Sequence, residues 1–62
     1  MTWFWTFESA DGEPQGQSET FDGRGDAETW LGESFGELLD RGIVRVRLLE
    51  GVTEIYEMSL EA

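Results

Sequence analysis

The chain has 62 residues, of which 14 are Asp or Glu and four are Arg, and it contains no Lys, His or Cys, so its net charge is −10. The missing side chains are those most often used as nucleophiles, proton shuttles and soft metal ligands, so we predict a protein that is not an enzyme and holds no cofactor. The negative charge also argues against direct binding to nucleic acid phosphates.

The length predicts a single domain over residues 1–62, with a small core rich in aromatic residues. No apolar run approaches the length of a membrane helix, and no secretory signal pattern opens the chain. We therefore expect a cytoplasmic protein that does not contact a membrane. A chain this short gains little net stability from its core, so self-association is an expected source of additional stability.

The first third of the chain predicts a β-hairpin. Residues 2–8 alternate in a way that places Trp3, Trp5 and Phe7 on one face of a strand. An Asp-Gly pair and a proline then predict a turn. Residues 17–21 are expected to form a weak return strand, favoured only by the Thr-Phe pair at its end.

Residues 26–41 have the apolar spacing of a helix. Gly25 or Asp26 is the expected N-cap, and Gly42 is expected in the left-handed conformation after the last turn. The predicted apolar stripe consists of Ala27, Trp30, Leu31, Ser34, Phe35, Leu38 and Leu39.

Residues 43–49 and 52–58 predict a second hairpin around a Glu50-Gly51 turn, with Leu49 opposite Val52. The whole pattern predicts an α+β fold of order β-β-α-β-β, with an antiparallel sheet of three or four strands and one helix on one face. In this register the outer face of the sheet, away from the helix, is rich in apolar residues and arginine, which is typical of protein interfaces. The candidate interface residues are Phe4, Ile43, Arg45, Arg47, Leu49, Val52, Tyr56 and Met58.

Three smaller features permit more than one interpretation. Glu33 and Glu37 share a helix face and could bind a cation or act as an acid–base pair. The preferred interpretation is that they are part of a solvated helix face without such a role. Residues 22–26 form a glycine-containing loop that suits an anion or weak calcium binding, or simply helix entry. Gly32 and Gly36 predict close packing of the helix, against the sheet or a partner helix, with the first preferred.

Several segments resemble a group of small, acidic, uncharacterised proteins from high-GC actinobacteria. The resemblance is carried by the Trp-rich first strand, the helix start and stop, and the closing strand. These segments are Asp26-Ala27-Glu28-Thr29-Trp30-Leu31-Gly32-Glu33 with Leu38-Leu39 and Gly42, and Tyr56-x-Met58-Ser59-Leu60. That group has no established activity, so the resemblance implies a stand-alone cytoplasmic domain and transfers no functional residue.

The function predicted from the sequence is therefore a non-catalytic acidic protein-interaction or accessory module, with a homodimer as one form of that interaction. One alternative is a nucleic-acid mimic, in which clustered carboxylates occupy the basic surface of a DNA-binding protein. The second alternative is a domain that binds divalent cations weakly through carboxylate oxygens.

Overall fold

Four strands and one helix follow each other in the order β-β-α-β-β in a computed structural model that describes residues 2–60. The elements are β1 (Trp3–Ser9), β2 (Pro14–Gln17), α1 (Arg24–Asp40), β3 (Ile43–Glu50) and β4 (Thr53–Ser59). The strands form one antiparallel sheet in the order β2-β1-β3-β4, and α1 packs across one face. The predicted α+β fold is confirmed, with four strands in the sheet.

The core lies between α1 and the two central strands. Alternation along β1 buries Trp5 and Phe7, as predicted. The indole Nε1 of Trp5 donates a 2.8 Å hydrogen bond to the carbonyl oxygen of Ala27 in α1, so the largest buried side chain also joins the sheet to the helix. The buried residues are Trp5, Phe7, Ala27, Leu31, Leu38, Ile43, Val46, Leu48 and Leu60.

The helix begins two residues before its predicted start. Gly23 is the N-cap, in an extended conformation and without a side-chain capping bond, so the expected cap at Gly25 or Asp26 is wrong. Glycine is tolerated at an N-cap, which leaves Gly25 free to join the first turn. At the other end Arg41 is the C-cap and Gly42 has a φ of +85°, so the predicted left-handed stop is confirmed.

The apolar stripe of α1 is narrower than predicted. Ala27, Leu31 and Leu38 are buried, but Phe35 is 37% exposed, so its expected place in the core is wrong. Apart from adjacent residues and the backbone of α1 itself, no heavy atom lies within 4 Å of the position that a side-chain Cβ would take at Gly32 or Gly36, so close packing of these glycines inside the monomer is also wrong. Nothing in the described fold offsets their low helix propensity.

The return strand of the first hairpin is displaced from its predicted position at 17–21 to Pro14–Gln17. After β2 the chain still follows β1, because Ser18 exchanges hydrogen bonds with the backbone of Trp5 and Phe21 forms an isolated bridge with Trp3. Proline is acceptable in β2 because this strand lies at the edge of the sheet.

The predicted register of β3 and β4 is wrong. The turn residues are Gly51 and Val52, and Glu50 pairs with Thr53. Gly51 has a φ of +61°, and no residue other than glycine has a positive φ in residues 2–60. Glycine therefore takes the first central position of the turn, as type II′ geometry requires, whereas the predicted turn placed it second. A further irregularity lies between Leu48 and Leu49.

Candidate interaction surface

The corrected register moves part of the predicted interface to the helix side of the sheet. Tyr56 lies opposite Leu48 and Met58 lies opposite Val46, and both partners are core residues. Ile43 is itself buried, at the end of β3 where the pairing with β1 shifts. The placement of Ile43, Tyr56 and Met58 on the outer face is therefore wrong.

The remaining predicted interface residues are accessible. Phe4 lies opposite Leu49 on the outer face, and Arg45 and Arg47 continue along the same side of β3. Val52, in the β3–β4 turn, is 98% exposed. Whether this face contacts a partner stays a prediction.

Arg47 is the centre of an ion-pair network on the outer face. Its Nε lies 2.8 Å from Glu57 Oε2 and 3.2 Å from Glu54 Oε1, and its Nη2 lies 3.0 Å from Glu8 Oε1. The hydrogen bond to Glu57 is the main reason that the pKa of Arg47 is raised. Arg45 adds a weaker contact, 3.8 Å from Glu57. Three carboxylates thus share two guanidinium groups.

Glu8 is the most enclosed carboxylate of this network. Its Oε1 is buried and makes no hydrogen bond, although the Arg47 nitrogen is within ion-pair distance. The closest nitrogen to this oxygen is Arg47 Nη2, at 3.0 Å, while the Nε–H of Arg47 donates to Glu57. The pair is an electrostatic contact rather than a directed bond.

An open cleft of about 450 Å³ lies beside this network. The cleft runs between β2 and the outer side of β1 and β3, and it is open to solvent rather than enclosed. Its lining combines apolar and charged groups, including Thr6, Glu8, Pro14, Arg47, Leu49 and Glu54. None of these side chains is a nucleophile supported by a neighbouring base, so the cleft does not have the arrangement of a hydrolytic site.

On the helix side of β4, three polar groups connect α1 to the sheet. The Tyr56 hydroxyl donates a 2.9 Å hydrogen bond to Glu28 Oε2, and Arg24 Nε donates a 3.1 Å bond to the same oxygen. The Arg24 guanidinium also lies 5.2 Å from the centre of the Tyr56 ring. This cluster was not predicted from the sequence, because the wrong register placed Tyr56 on the outer face.

The cluster shifts the pKa values of both acids. The hydrogen bond from Tyr56, and then the bond from Arg24, lower the pKa of Glu28 below 4.5. Partial burial raises the pKa of Tyr56 above 10.0, and the hydrogen bond to Glu28 raises it further. A lowered carboxylate pKa and a raised phenol pKa suit a structural contact, since neither group is prepared for proton transfer near neutral pH.

All four arginines are engaged within the described chain. Three make ion pairs with carboxylates, and the Arg41 guanidinium lies 6.0 Å from the centre of the Phe7 ring. Most carboxylates of residues 2–60 have no arginine partner. They are Asp11, Glu13, Glu19, Asp22, Asp26, Glu33, Glu37, Asp40 and Glu50.

Four of these carboxylates lie along one side of α1, and we call them the acidic stripe: Asp26, Glu33, Glu37 and Asp40. Their spacing of seven, four and three residues matches the helical repeat, and all four are exposed. The stripe is on the side of α1 that carries Trp30, which stacks on Phe7 of β1. It spans about 21 Å at a rise of about 1.5 Å per residue.

A second open groove, of about 410 Å³, adjoins the first half of the stripe. Phe21 and Trp30 contribute aromatic rings whose centres are 5.8 Å apart, and Asp22, Asp26 and Glu33 contribute carboxylates. Within residues 2–60, no three carboxylates are arranged so that they could hold a metal ion. Neither residues 22–26 nor the Glu33–Glu37 pair is part of such a group of three.

No family model, curated protein or solved structure matches this chain. Among residues 2–60, no helix combines the length and apolar character needed to cross a bilayer. Function is therefore inferred from the geometry and charge of the chain itself.

Proposed function

We propose that this protein is a non-catalytic, cytoplasmic interaction module whose acidic stripe binds a basic surface of a protein partner. The observation that carries this proposal is the uncompensated stripe itself: four exposed carboxylates on one side of α1, none of them paired with an arginine of the described chain. A rigid row of like charges creates a local negative potential that attracts and orients a partner of opposite charge.

The neighbouring groups support a cationic partner. Glu33 and Glu37, one helical turn apart, repel each other, and a partner's Lys or Arg would relieve that repulsion. The groove next to the stripe presents the rings of Phe21 and Trp30, which attract guanidinium and ammonium groups through their faces. Arg41 is the arginine nearest in sequence to the acidic stripe. Its guanidinium lies 6.0 Å from the centre of the Phe7 ring and forms no ion pair with the stripe within residues 2–60.

A DNA-binding protein is one source of such a basic surface, because a row of carboxylates imitates the charge of a phosphate row. This would make the chain a nucleic-acid mimic, and we keep it as the second candidate because the stripe is linear. Both candidates predict an affinity that falls as salt is added.

The experiment compares two variants that lose the same number of charges. Immobilised wild-type protein is used to capture partners from host lysate at low salt, and captured proteins are eluted with salt and identified. The stripe variant carries Asp26→Asn, Glu33→Gln, Glu37→Gln and Asp40→Asn. The matched control carries Asp11→Asn, Glu13→Gln, Glu19→Gln and Glu50→Gln, all away from the stripe.

We expect a basic partner that binds the wild type and the control variant but not the stripe variant. Competition by duplex DNA for the partner would favour the mimic. Equal capture by both variants, or binding indifferent to salt, would contradict the proposal. Sedimentation of the wild type tests the homodimer, which we propose as an additional state formed through the outer sheet face, where Phe4 and Leu49 lie side by side.

A further inference from the structure

Strand β4 forms one edge of the sheet. It lies outside β3 in the strand order, and within residues 2–60 no strand pairs with its other side. The N–H of Leu60 donates a 2.8 Å bond to the carbonyl of Val44, in the register that pairs Arg45 with Ser59. Because hydrogen-bonded pairs alternate in an antiparallel ladder, the backbone N–H and C=O of Glu57 point away from β3.

The helix side of this edge is apolar and partly open. Tyr56 and Met58 are only partly buried there. Phe35, which is 37% exposed, lies two helical turns after Glu28, the residue that bonds Tyr56, so its side of α1 looks toward β4. The space over Gly32, on the same side of α1, is empty to a distance of 4 Å.

The outer side of the edge is acidic. The side chains of Glu54 and Glu57 are 54% and 40% exposed, and they share Arg47 with Glu8. Even with Arg45 included, this cluster has more carboxylates than guanidinium groups. A basic side chain on a neighbouring strand would lie beside Glu57, because side chains of adjacent strands at the same level share a face.

We propose that β4 accepts an extended segment of a partner protein as a fifth strand, and that this segment alternates apolar and basic residues. Its apolar residues pack on the helix side against Phe35, Tyr56 and Met58, and its basic residues lie on the outer side beside Glu54 and Glu57. Main-chain hydrogen bonds along the edge provide the affinity, and the two chemically different sides provide the specificity.

A second copy of the chain is a poorer occupant. The outer side of the β4 edge has more carboxylates than guanidinium groups, so it favours a basic segment over a second copy of the same edge. A two-fold pairing centred on the outward-pointing groups of Glu57 would also place two carboxylates directly opposite each other. Strand addition at β4 does not depend on the acidic stripe of α1, which lies on the other side of the helix.

The probe is a capped seven-residue peptide in which Lys and Val alternate, matched in length to β4. It is titrated into isotopically labelled full-length protein, and binding is followed by backbone amide shifts and by hydrogen exchange. One control peptide has the same composition as the probe but groups the lysines together. A second control peptide has Glu in place of each Lys. A fourth peptide is the alternating one with N-methyl groups along its pairing edge.

The expected shifts are concentrated in β4 and around Phe35, and the Glu57 amide becomes protected from exchange. Only the alternating Lys-Val peptide should bind well, and N-methylation should abolish binding because it removes the ladder donors. Equal binding of the N-methylated or the grouped peptide would overturn the proposal, as would shifts confined to the acidic stripe.

Two protein variants separate the backbone from the charge. Glu57→Gln removes the carboxylate and should weaken binding about two- to fivefold, as expected for one exposed ion pair. Glu57→Pro removes the carboxylate and also the outward N–H, and should weaken binding by about a further fivefold or more. Equal affinities for the two variants would overturn strand addition, and the N-methylated peptide tests the same backbone bonds without altering the protein.

Two further measurements complete the test. The stripe variant should bind the peptide nearly as well as the wild type, so failure here and failure of the acidic stripe are distinguishable. Protection of the Glu57 amide in the free protein, together with a dimeric mass in sedimentation, would identify a second copy as the occupant and overturn the proposal.

Discussion

Tyr56 on β4 and Glu28 on α1 are joined by a hydrogen bond of 2.9 Å between the phenol and Oε2. The two residues are far apart in sequence, and their contact joins the last strand to the edge of the helix that faces it. Because the pKa values of both groups are shifted, the contact contributes to the pH dependence of folding on the acid side and on the alkaline side.

The first prediction concerns the acid side of the stability profile. Glu28 has a lowered pKa in the folded chain, so its stabilising contribution is present above its unfolded pKa, near 4.5, and is lost as the pH falls through the folded value. Replacing Tyr56 with Phe should raise the pKa of Glu28, because it removes the largest single cause of the shift, and Arg24→Gln should also raise it, because it removes a hydrogen bond and a nearby positive charge. Carboxyl NMR titration of Glu28 in the three proteins measures this. An unchanged pKa of Glu28 in Tyr56→Phe would contradict the assignment.

The second prediction concerns the alkaline side. Tyr56 has a raised pKa, so its contribution is complete below pH 10.0 and is lost as the pH rises through the folded value. The chain has one Tyr and no Lys or Cys, which leaves Tyr56 as the main titrating side chain in this range. The melting temperature of the wild type should therefore fall more steeply above pH 10 than that of Tyr56→Phe. Parallel curves for the two proteins would show that the phenol is not coupled to folding.

The third prediction concerns the two exposed helix glycines. Gly32→Ala and Gly36→Ala should each stabilise the protein by about 0.5–1 kcal/mol, because neither position has a positive φ and both have open space around them. The matched control is Gly42→Ala, which should destabilise because Gly42 has a φ of +85°. Urea unfolding measures all three. If alanine at 32 or 36 lowers stability in the isolated chain, the described environment of that glycine is wrong.

The fourth prediction concerns the centre of the core. Trp5→Phe removes ring volume and the 2.8 Å hydrogen bond to the Ala27 carbonyl, and should cost about 2–4 kcal/mol. Val52→Ala, at a residue that is 98% exposed, should change stability by less than about 0.5 kcal/mol. Denaturant unfolding followed by circular dichroism compares them. Similar midpoints for the two variants would refute the central role of Trp5.

The fifth prediction concerns the outer-face network. Arg47→Gln should lower the melting temperature, because Glu8, Glu54 and Glu57 would then repel one another. Arg45→Gln should have a smaller effect, since within residues 2–60 Arg45 makes a single ion pair, with Glu57 at 3.8 Å. The difference between the two variants should shrink in high salt, where exposed charges are screened. Scanning calorimetry at two ionic strengths provides the comparison, and equal losses would argue against a central Arg47.

The strand and helix order could be predicted from the sequence because each element carries its own periodicity. Trp5 and Phe7 identify the buried side of β1, and Leu31 and Leu38 identify the buried side of α1. Each of these patterns lies within a single element, so a wrong prediction of strand pairing elsewhere in the chain does not affect it.

The pairing register of β3 and β4, unlike the order of the elements, could not be predicted from the sequence. The new position of Gly51 in the turn shifts the pairing by two residues, which leaves each side chain on its predicted face. The irregularity between Leu48 and Leu49, where β4 contains one extra residue, is what moves Tyr56 and Met58 to the other face of the sheet. The contact between Tyr56 and Glu28 depends in turn on that register, which is why no sequence pattern revealed it. The acidic stripe, by contrast, can be predicted from helical spacing alone. The sequence analysis identifies only the Glu33–Glu37 pair as part of it.

The two borders of the sheet are not equivalent. One is formed by β2, which has only four residues and includes Pro14, a residue without an N–H to donate. The other is formed by the seven residues of β4. A filament grows by strand pairing only when each unit offers two open borders. Because β2 is short and includes a residue that cannot donate, β4 is the better border for pairing, so we expect assembly along the sheet to end after a single addition rather than to continue into fibres.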